Sequence, residues 1–386
     1  MIRADQLQEI AALSPPILSA YLNTGAHNAS RHPQAQPDLT WLKKEAVSKT
    51  KSLLPRDVEG FERQVERVKQ FLDQRHPNER ALAIFASRET WAVLPMQVSV
   101  EDELRWGKPD VWQLFRLLSE HPPRCIVVVD HHAARFFMYG LGELNLLEEK
   151  AFEVDISQWK KKDLGHFSAE SIRKTRGSQR DVFDDRLEAQ FTRLCQEAAQ
   201  RAMVLCKKHD LSSLFLVGSE RLIAPIQTKI PHPFAKSVFL VPEDLGNLSP
   251  MELLRRLEPI IDDCQHKQQV AAVTELLGAE QGAVLNVDET LARLESGAIR
   301  KIILARDLEL ELHQCVKCGR ANRSADPVCA NCGAQRRKVA LCGILPALLA
   351  AQDTKLEVVT GEAARMLARA GGMGGWLRQA RHLAAG

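Results

Sequence analysis

Cys315-Val-Lys-Cys318 and, after ten intervening residues, Cys329-Ala-Asn-Cys332 form the stretch from which the rest of the chain is read. A glycine follows each pair at once, Gly319 and Gly333. Two thiolates three positions apart bind one ion only if the backbone folds tightly around it, and glycine permits that turn by tolerating positive φ. Four such sulfurs make a closed tetrahedral site for structural zinc, whereas catalytic zinc keeps a position open for water. The competing readings are chance spacing and disulfide pairing. The remaining five cysteines are scattered among apolar neighbours and the first residues, Met1 to Leu7, present no export leader, which favours the metal. His313 lies close by but is not needed as a ligand.

The flanks of this knuckle alternate helix and strand. Residues 287–298 read as a helix, with Asp288 as N-cap, Leu291 and Leu294 on one face and Gly297 closing the C-terminus. Ile299 to Ala305 supplies a β-branched strand, Leu356 to Thr360 a second, Glu362 to Ala370 a helix, and Gly371-Gly-Met-Gly-Gly-Trp-Leu-Arg378 a final close-packed stretch. Such alternation predicts a small α/β/α sandwich.

These residues carry a resemblance. The run Val287-Asp288-Glu289-Thr290-Leu291 with Leu294-Glu295 and Gly297-Ala298, a four-cysteine insert after the next strand, and a closing Gly371-Gly372-x-Gly374 with Leu377-Arg378 resemble the third domain of the archaeal and eukaryotic class I peptide-chain release factors. The related Pelota rescue factors have a similar domain, and the chain is most similar to bacterial relatives of that superfamily.

A chain of 386 residues is too long for one ordinary core. The reading is a multidomain α/β and α+β protein. An N-terminal α+β domain occupies 1–123, a middle domain 124–278, and the sandwich 279–386, with the zinc insert at about 313–336. A net charge of +3 is too small to mark a nucleic-acid partner, so RNA affinity must come from local patches. Two tyrosines argue against a sheet that reads single strands by base stacking. No apolar run approaches a membrane span, and free thiols beside a thiolate metal site predict a reducing cytoplasm.

In the first domain, 17–23 and 81–87 read as strands, and 39–72 as helical with a break near Pro55. Class I release factors decode stop codons there with an Asn-Ile-Lys-Ser loop and a tyrosine-cysteine motif, and this sequence has neither. His27-Asn-Ala-Ser30 reads as a solvated loop. The middle domain begins with a buried strand ending at Asp130. Strands at 134–139 and 146–154 follow, with Gly140 to Gly142 turning between them, and later come a helix and strands at 214–217 and 237–241. This order is compatible with the ribonuclease-H-like middle domain that the resemblance implies. Asp130 is read as a strand-terminating residue rather than a nuclease ligand, and Gly218 as a turn glycine.

Between strand and helix lies a cation-rich stretch: Trp159-Lys-Lys-Lys162, Gly165-His166, then Arg173-Lys174-Thr-Arg176-Gly177-Ser178-Gln179-Arg180. It reads as a basic loop that enters a long helix with Leu187, Phe191, Leu194, Ala198 and Leu205 on neighbouring turns. The release factors carry a Gly-Gly-Gln loop at the corresponding place. The resemblance therefore implies that Gln179 orients water or stabilises an oxyanion at the peptidyl-tRNA ester, with Gly177 and Ser178 shaping its backbone. Ser178 stands where the family has glycine and adds a Cβ to the approach. The alternative is a solvated loop whose Arg173, Lys174, Arg176 and Arg180 contact RNA phosphates without hydrolysis.

The implied partners are the ribosome, with its RNA and peptidyl-tRNA, and a translational GTPase at the third domain; no membrane is expected. The implied activity is ribosome-dependent release or rescue. A non-catalytic Pelota-like occupant of stalled or hibernating ribosomes is the first alternative, and an RNA-binding or RNA-processing protein the second.

Overall fold

A computed structural model describes residues 4–24, 39–75, 79–130, 132–151 and 177–378. The chain divides into two compact units, one made of the residues up to His121 together with those from Ile260 onward, the other Pro122–Pro259.

The first unit opens with α1 (Ala4–Ala11), β1 (Ile17–Asn23), α2 (Leu39–Thr50), α3 (Pro55–Asp73), β2 (Ala81–Ala86), β3 (Trp91–Met96), β4 (Glu103–Gly107) and α4 (Trp112–Glu120). The four strands form an antiparallel sheet in the order β3-β2-β1-β4. Period-2 alternation sends Leu18, Ala20 and Leu22 of β1 towards one face. There they pack with Leu42 and Ala46 of α2 and Phe61, Val65, Val68 and Leu72 of α3. Pro55 opens α3, which is why the helical stretch expected across 39–72 splits in two. Strands β3 and β4 and helix α4 carry no sequence signal strong enough to have been expected.

The second unit contains β5 (Arg124–Val129), β6 (Ala133–Gly140), β7 (Glu143–Ala151), α5 (Gly177–Lys208), β8 (Leu214–Val217), α6 (Glu220–Thr228), α7 (His232–Ala235) and β9 (Val238–Val241). Its sheet runs β7-β6-β5-β8-β9. The first three strands form an antiparallel meander, and β8 and β9 join β5 in parallel. Strand β7 starts three residues before the expected Leu146, because Leu141 and Gly142, at φ of 50° and 75°, make a two-residue turn. The turn falls within the expected Gly140 to Gly142, with leucine an unusual occupant of its left-handed first position. The core face of the sheet is closed by Phe191, Ala198, Ala199, Ala202 and Leu205 of α5 and by Leu222, Ile223 and Ile226 of α6.

Helix α8 spans Pro250–Leu277. Beyond it come β10 (Ala283–Leu285), α9 (Val287–Glu295), β11 (Ile299–Ala305), β12 (Glu311–Cys315), β13 (Ala321–Asn322), β14 (Arg336–Ala340), α10 (Leu341–Ala351), β15 (Lys355–Val359), α11 (Gly361–Arg369) and β16 (Met373–Leu377). The main sheet has the order β10-β16-β11-β15. Alternation along β11 puts Ile302 and Leu304 in a core with Leu291, Leu294, Leu345 and Leu349 from α9 and α10. Ile303 and Ala305 face Val273, Leu276, Ala363 and Leu367 from α8 and α11 on the other side. Helices thus cover both faces of the sheet, the layering expected of an α/β/α sandwich. The closing glycines are set by close packing: a Cβ on Gly372, whose φ is +77°, would lie 2.6 Å from Leu308, and one on Gly374 2.9 Å from the Val284 carbonyl.

Strand β15 is an edge of this sheet, and α4 covers it. The Val358 amide donates to Ser119 Oγ at 2.5 Å, and Arg306 pairs with Glu120 at 3.2 Å. An uncovered edge is a template for foreign strands, and a helix laid along it removes that hazard. The N-terminal segment and the sandwich therefore share one compact unit.

Candidate metal centre and the Gly-Ser-Gln helix

Strands β12, β13 and β14 form a small antiparallel sheet from which the two cysteine turns project. The turns are built alike. The Gly319 amide donates to the Cys315 carbonyl at 3.1 Å, and the Gly333 amide to that of Cys329 at 2.8 Å. Both glycines are left-handed, at φ of +77° and +72°, and a Cβ on either would meet nothing within 4 Å. Backbone torsion, not crowding, is what requires glycine there.

The four sulfurs converge. Cys315 Sγ lies 3.4 Å from Cys332 Sγ, Cys318 Sγ lies 3.6 Å from Cys329 Sγ, and all four fall within 4.8 Å of one another. A zinc–sulfur bond of about 2.3 Å puts tetrahedral sulfurs about 3.8 Å apart, so the cluster has the size of a four-thiolate metal site. His313 stands outside it. Electrostatics agree with that donor set. Amide N–H groups of Cys318 and Lys317 point at Cys315, at 3.4 Å each, and hold its thiol down to about 6. The Asn331 and Cys332 amides lower Cys329 in the same way. Cys332 receives the Ala334 amide, yet its neighbouring sulfurs, Cys315 first, push it up to about 11. Four thiolates this close repel one another, and a divalent cation is what allows all four to ionise together.

The sandwich holds this lobe through α9. Arg323 donates its amide to Asp288 Oδ1 at 2.9 Å and its Nε to Oδ2 at 3.0 Å, and the Ala321 amide donates to Glu295 Oε1 at 3.0 Å. Asp288 is therefore not the N-cap expected from sequence. Asn286 takes that role, at φ 67°, with its side chain accepting from the Glu289 amide at 3.1 Å. Asn tolerates the left-handed region and caps as well as Asp does, so two positions of register separate the two readings. Inside the lobe, Arg336 donates to the carbonyls of Ser324 at 3.0 Å and Asp326 at 3.3 Å, and also to His313 and Asn322. Sequence reasoning missed both Asp288–Arg323 and this clamp, because neither involves neighbours in the chain.

Helix α5 begins at Gly177, so Gly177, Ser178 and Gln179 form its first turn and Arg180 follows. Arg173, Lys174 and Arg176, with the 159–166 stretch, lie outside the described residues, as does His27-Asn-Ala-Ser30. From Phe191 onward α5 buries Phe191, Ala198 and Leu205 as its periodicity predicts, with Cys195, Ala202 and Cys206 added. Asp130 closes the β5–β6 turn: its Oδ1 accepts from the amides of His132 at 2.7 Å and Ala133 at 2.8 Å. Among the described residues the four cysteines are the only metal-sized group of ligands, so no carboxylate cluster surrounds Asp130. Gly218 is a turn glycine, its amide donating to the Val241 carbonyl at 3.1 Å.

Fold and site define a multidomain α/β protein carrying a four-cysteine lobe. Residues 109–261, about two-fifths of the chain, match the family model "bacterial archaeo-eukaryotic release factor family 10". No curated protein matches it in sequence. Among solved structures it is similar to an archaeal translation termination factor, aRF1, at 14% identity over 97% of each chain and a TM-score of 0.24. It is similar also to Archaeoglobus fulgidus Pelota, at 14% identity over 78% of this chain and 80% of that one, TM-score 0.29. A third likeness is S. cerevisiae Dom34, at 12% identity over 78% and 75%, TM-score 0.38. Among the described residues, no helix is long and apolar enough to cross a membrane.

Proposed function

We propose that this protein is a cytoplasmic, ribosome-binding translation factor acting in peptide release or ribosome rescue. The observation that carries the reading is that the family match over 109–261 encloses Gly177-Ser178-Gln179, a tripeptide preceded by a cation-rich stretch and opening a 32-residue helix. In this reading the middle domain is ribonuclease-H-like, supported by a sheet in which an antiparallel meander is extended by two parallel strands. Gln179 presents its amide to the peptidyl-tRNA ester, orienting water or stabilising the oxyanion. Arg173, Lys174, Arg176 and Arg180 hold RNA phosphates around it. Cys315, Cys318, Cys329 and Cys332 bind structural zinc, which fixes the lobe and takes no part in chemistry. The sandwich is the docking domain for a translational GTPase.

The test is single-turnover release of peptide from stalled ribosome complexes. Hydrolysis predicts that Gln179→Ala slows release at least ~100-fold, the scale of losing one oriented group at a reacting carbonyl. Equal rates for wild type and variant would remove the hydrolase role.

A second reading is a non-catalytic Pelota-like occupant of stalled or idle ribosomes. Ser178 favours it: a side chain stands where adjacent glycines would let the backbone approach the ester, and the tripeptide is wound into a helical turn. This reading predicts tight ribosome binding with no release above background.

A further inference from the structure

Charge is segregated within the C-terminal domain. Residues 311–340, the four-cysteine lobe, hold six Lys/Arg against two Asp/Glu, a net +4, in a chain whose total is +3. The sandwich that carries it, residues 260–310 and 341–378, holds nine against twelve, a net −3. Four thiolates around a divalent ion return two negative charges, leaving the loaded lobe at about +2. Those negative charges face inward, towards the turn amides of Lys317, Cys318, Asn331 and Cys332.

Three of the six cations are already engaged. Arg323 is held by Asp288, Arg336 spends its guanidinium on carbonyls, and Lys338 pairs with Glu311 at 3.4 Å. Asp326 is turned to Ser324. Lys317, Arg320 and Arg337 remain, all exposed and none in an ion pair with a described residue. Glu295, the carboxylate whose field acts on Arg320, is committed to the Ala321 amide. Lys317 lies in the first cysteine turn and Arg320 just past it. Arg337 sits two residues after Gln335, which accepts the Val316 amide at 3.0 Å and bridges Val328.

We propose that the four-cysteine lobe is a contact for RNA backbone, with Lys317, Arg320 and Arg337 holding phosphates of ribosomal RNA without reading sequence. The proposal rests on the ribosome-directed reading above and assigns the lobe its partner. Residues 311–340 contain no Phe, Tyr or Trp and a single ring, the half-buried His313, which argues against a surface that reads single strands by stacking their bases. Unpaired guanidinium and ammonium groups on a rigid, metal-sized frame suit phosphates, whose contacts position a protein without specifying sequence. An acidic protein surface would attract the same cations, but its interface needs an apolar centre. Among the described residues, the lobe's exposed large apolar side chains are only Val316 and Val328.

The experiment uses the full-length zinc-loaded protein. Affinity for purified bacterial ribosomes and for a plain double-stranded RNA hairpin is measured between low and physiological salt, for wild type and for K317A/R320A/R337A. Unchanged zinc content and far-UV circular dichroism establish that the variant is folded. The expected result is an affinity for both probes at least ~10-fold weaker, with the slope of log K against log[salt] reduced by about two to three, one phosphate per cation. Equal affinity and slope for wild type and variant would overturn the proposal. So would a loss of ribosome affinity with an unchanged slope and no effect on the hairpin, which marks a protein contact. Wild type that ignores ribosomes but binds the hairpin in a variant-sensitive way sinks the translational reading and leaves the lobe's RNA contact standing; wild type that binds neither sinks both.

Discussion

The four-cysteine lobe and the middle domain are held together by different physics. The lobe has a two-residue strand, few apolar side chains and two tight turns, and its shape follows from four sulfurs within 4.8 Å of one another. Among its described residues the middle domain has no such staple. Its sheet is closed by α5 and α6, and its turns are fixed by contacts such as Gly218 against Val129 and Gly246 against Asp130. A small module with little to bury needs a metal, whereas a domain with a large apolar core spends its specificity on close backbone approach. The same contrast separates their candidate chemistry. The lobe's donors are complete within the chain, while the role proposed for Gln179 depends on an ester supplied by another molecule.

The largest effect should come from breaking the staple. In Cys329→Ser, bound zinc is expected to fall from about one ion per chain to under about a tenth, since structural zinc supplies roughly 10–16 kcal/mol of apparent binding energy in small modules. Amide exchange over 315–338 should become fast, while protection of β11 and β15, which have cores of their own, persists. Zinc analysis with hydrogen exchange checks both halves; loss of protection in the sandwich would mean the two regions fold as one.

Next in size is the corresponding break in the middle domain. A Cβ at Gly218 would lie 2.4 Å from the Val129 carbonyl oxygen, at a φ of +153° that side chains rarely adopt. Gly218→Ala is expected to destabilise the domain by about 2–4 kcal/mol, because backbone on two strands must shift. Urea unfolding followed on this domain should show a lower midpoint, with zinc content unchanged. A neutral outcome would place the domain's constraint elsewhere.

A smaller change sharpens the comparison by separating how the lobe folds from how it is seated. Asp288 accepts both the amide and the Nε of Arg323, and the pair is roughly half exposed. Asp288→Ala is expected to cost about 1 kcal/mol, with screening by solvent limiting the ionic part. Zinc content should hold while proteolysis around 316–326 quickens several-fold. If proteolysis is unaltered, Glu295 and the buried Leu312 and Ala321 suffice to seat the lobe.

Much of this was legible in sequence because the signals are local. The cysteine spacing, the β-branched run at 299–305, the break at Pro55 and the periodicity of α5 each depend on residues within a few positions of one another. The sandwich follows from strands and helices alternating with both faces of β11 apolar. What was not legible is long-range or carried by an atypical residue. Asp288 looks like a cap until Arg323, thirty-five positions away, is brought to it. At the turn expected over Gly140 to Gly142, the left-handed conformation of Leu141 is what the residue type does not announce. The covering of β15 by α4 joins Ser119 to Val358 across 239 positions, and no periodicity encodes that. For Gln179 the limit is different in kind, since the role proposed for it rests on another molecule.

The smallest expected effect concerns Asp130, the one carboxylate at a strand end that invites a nuclease reading. Its Oδ1 accepts from the amides of His132 and Ala133, and its own amide donates to the Ala133 carbonyl at 3.1 Å, so the group works as a turn brace. Asparagine keeps an Oδ1 in the same place and tolerates the same turn. Asp130→Asn should therefore change stability by under about 0.5 kcal/mol, the range of substitutions that preserve their hydrogen bonds. Ribosome binding and release should be unaltered. A metal-bound carboxylate behaves oppositely: removing its charge abolishes metal-dependent cleavage of RNA while leaving the fold intact. Incubating wild type and variant with structured RNA and magnesium or manganese decides between them. Cleavage by wild type that is lost in the variant would make the middle domain an enzyme in its own right, whereas an inert pair leaves Asp130 to its turn.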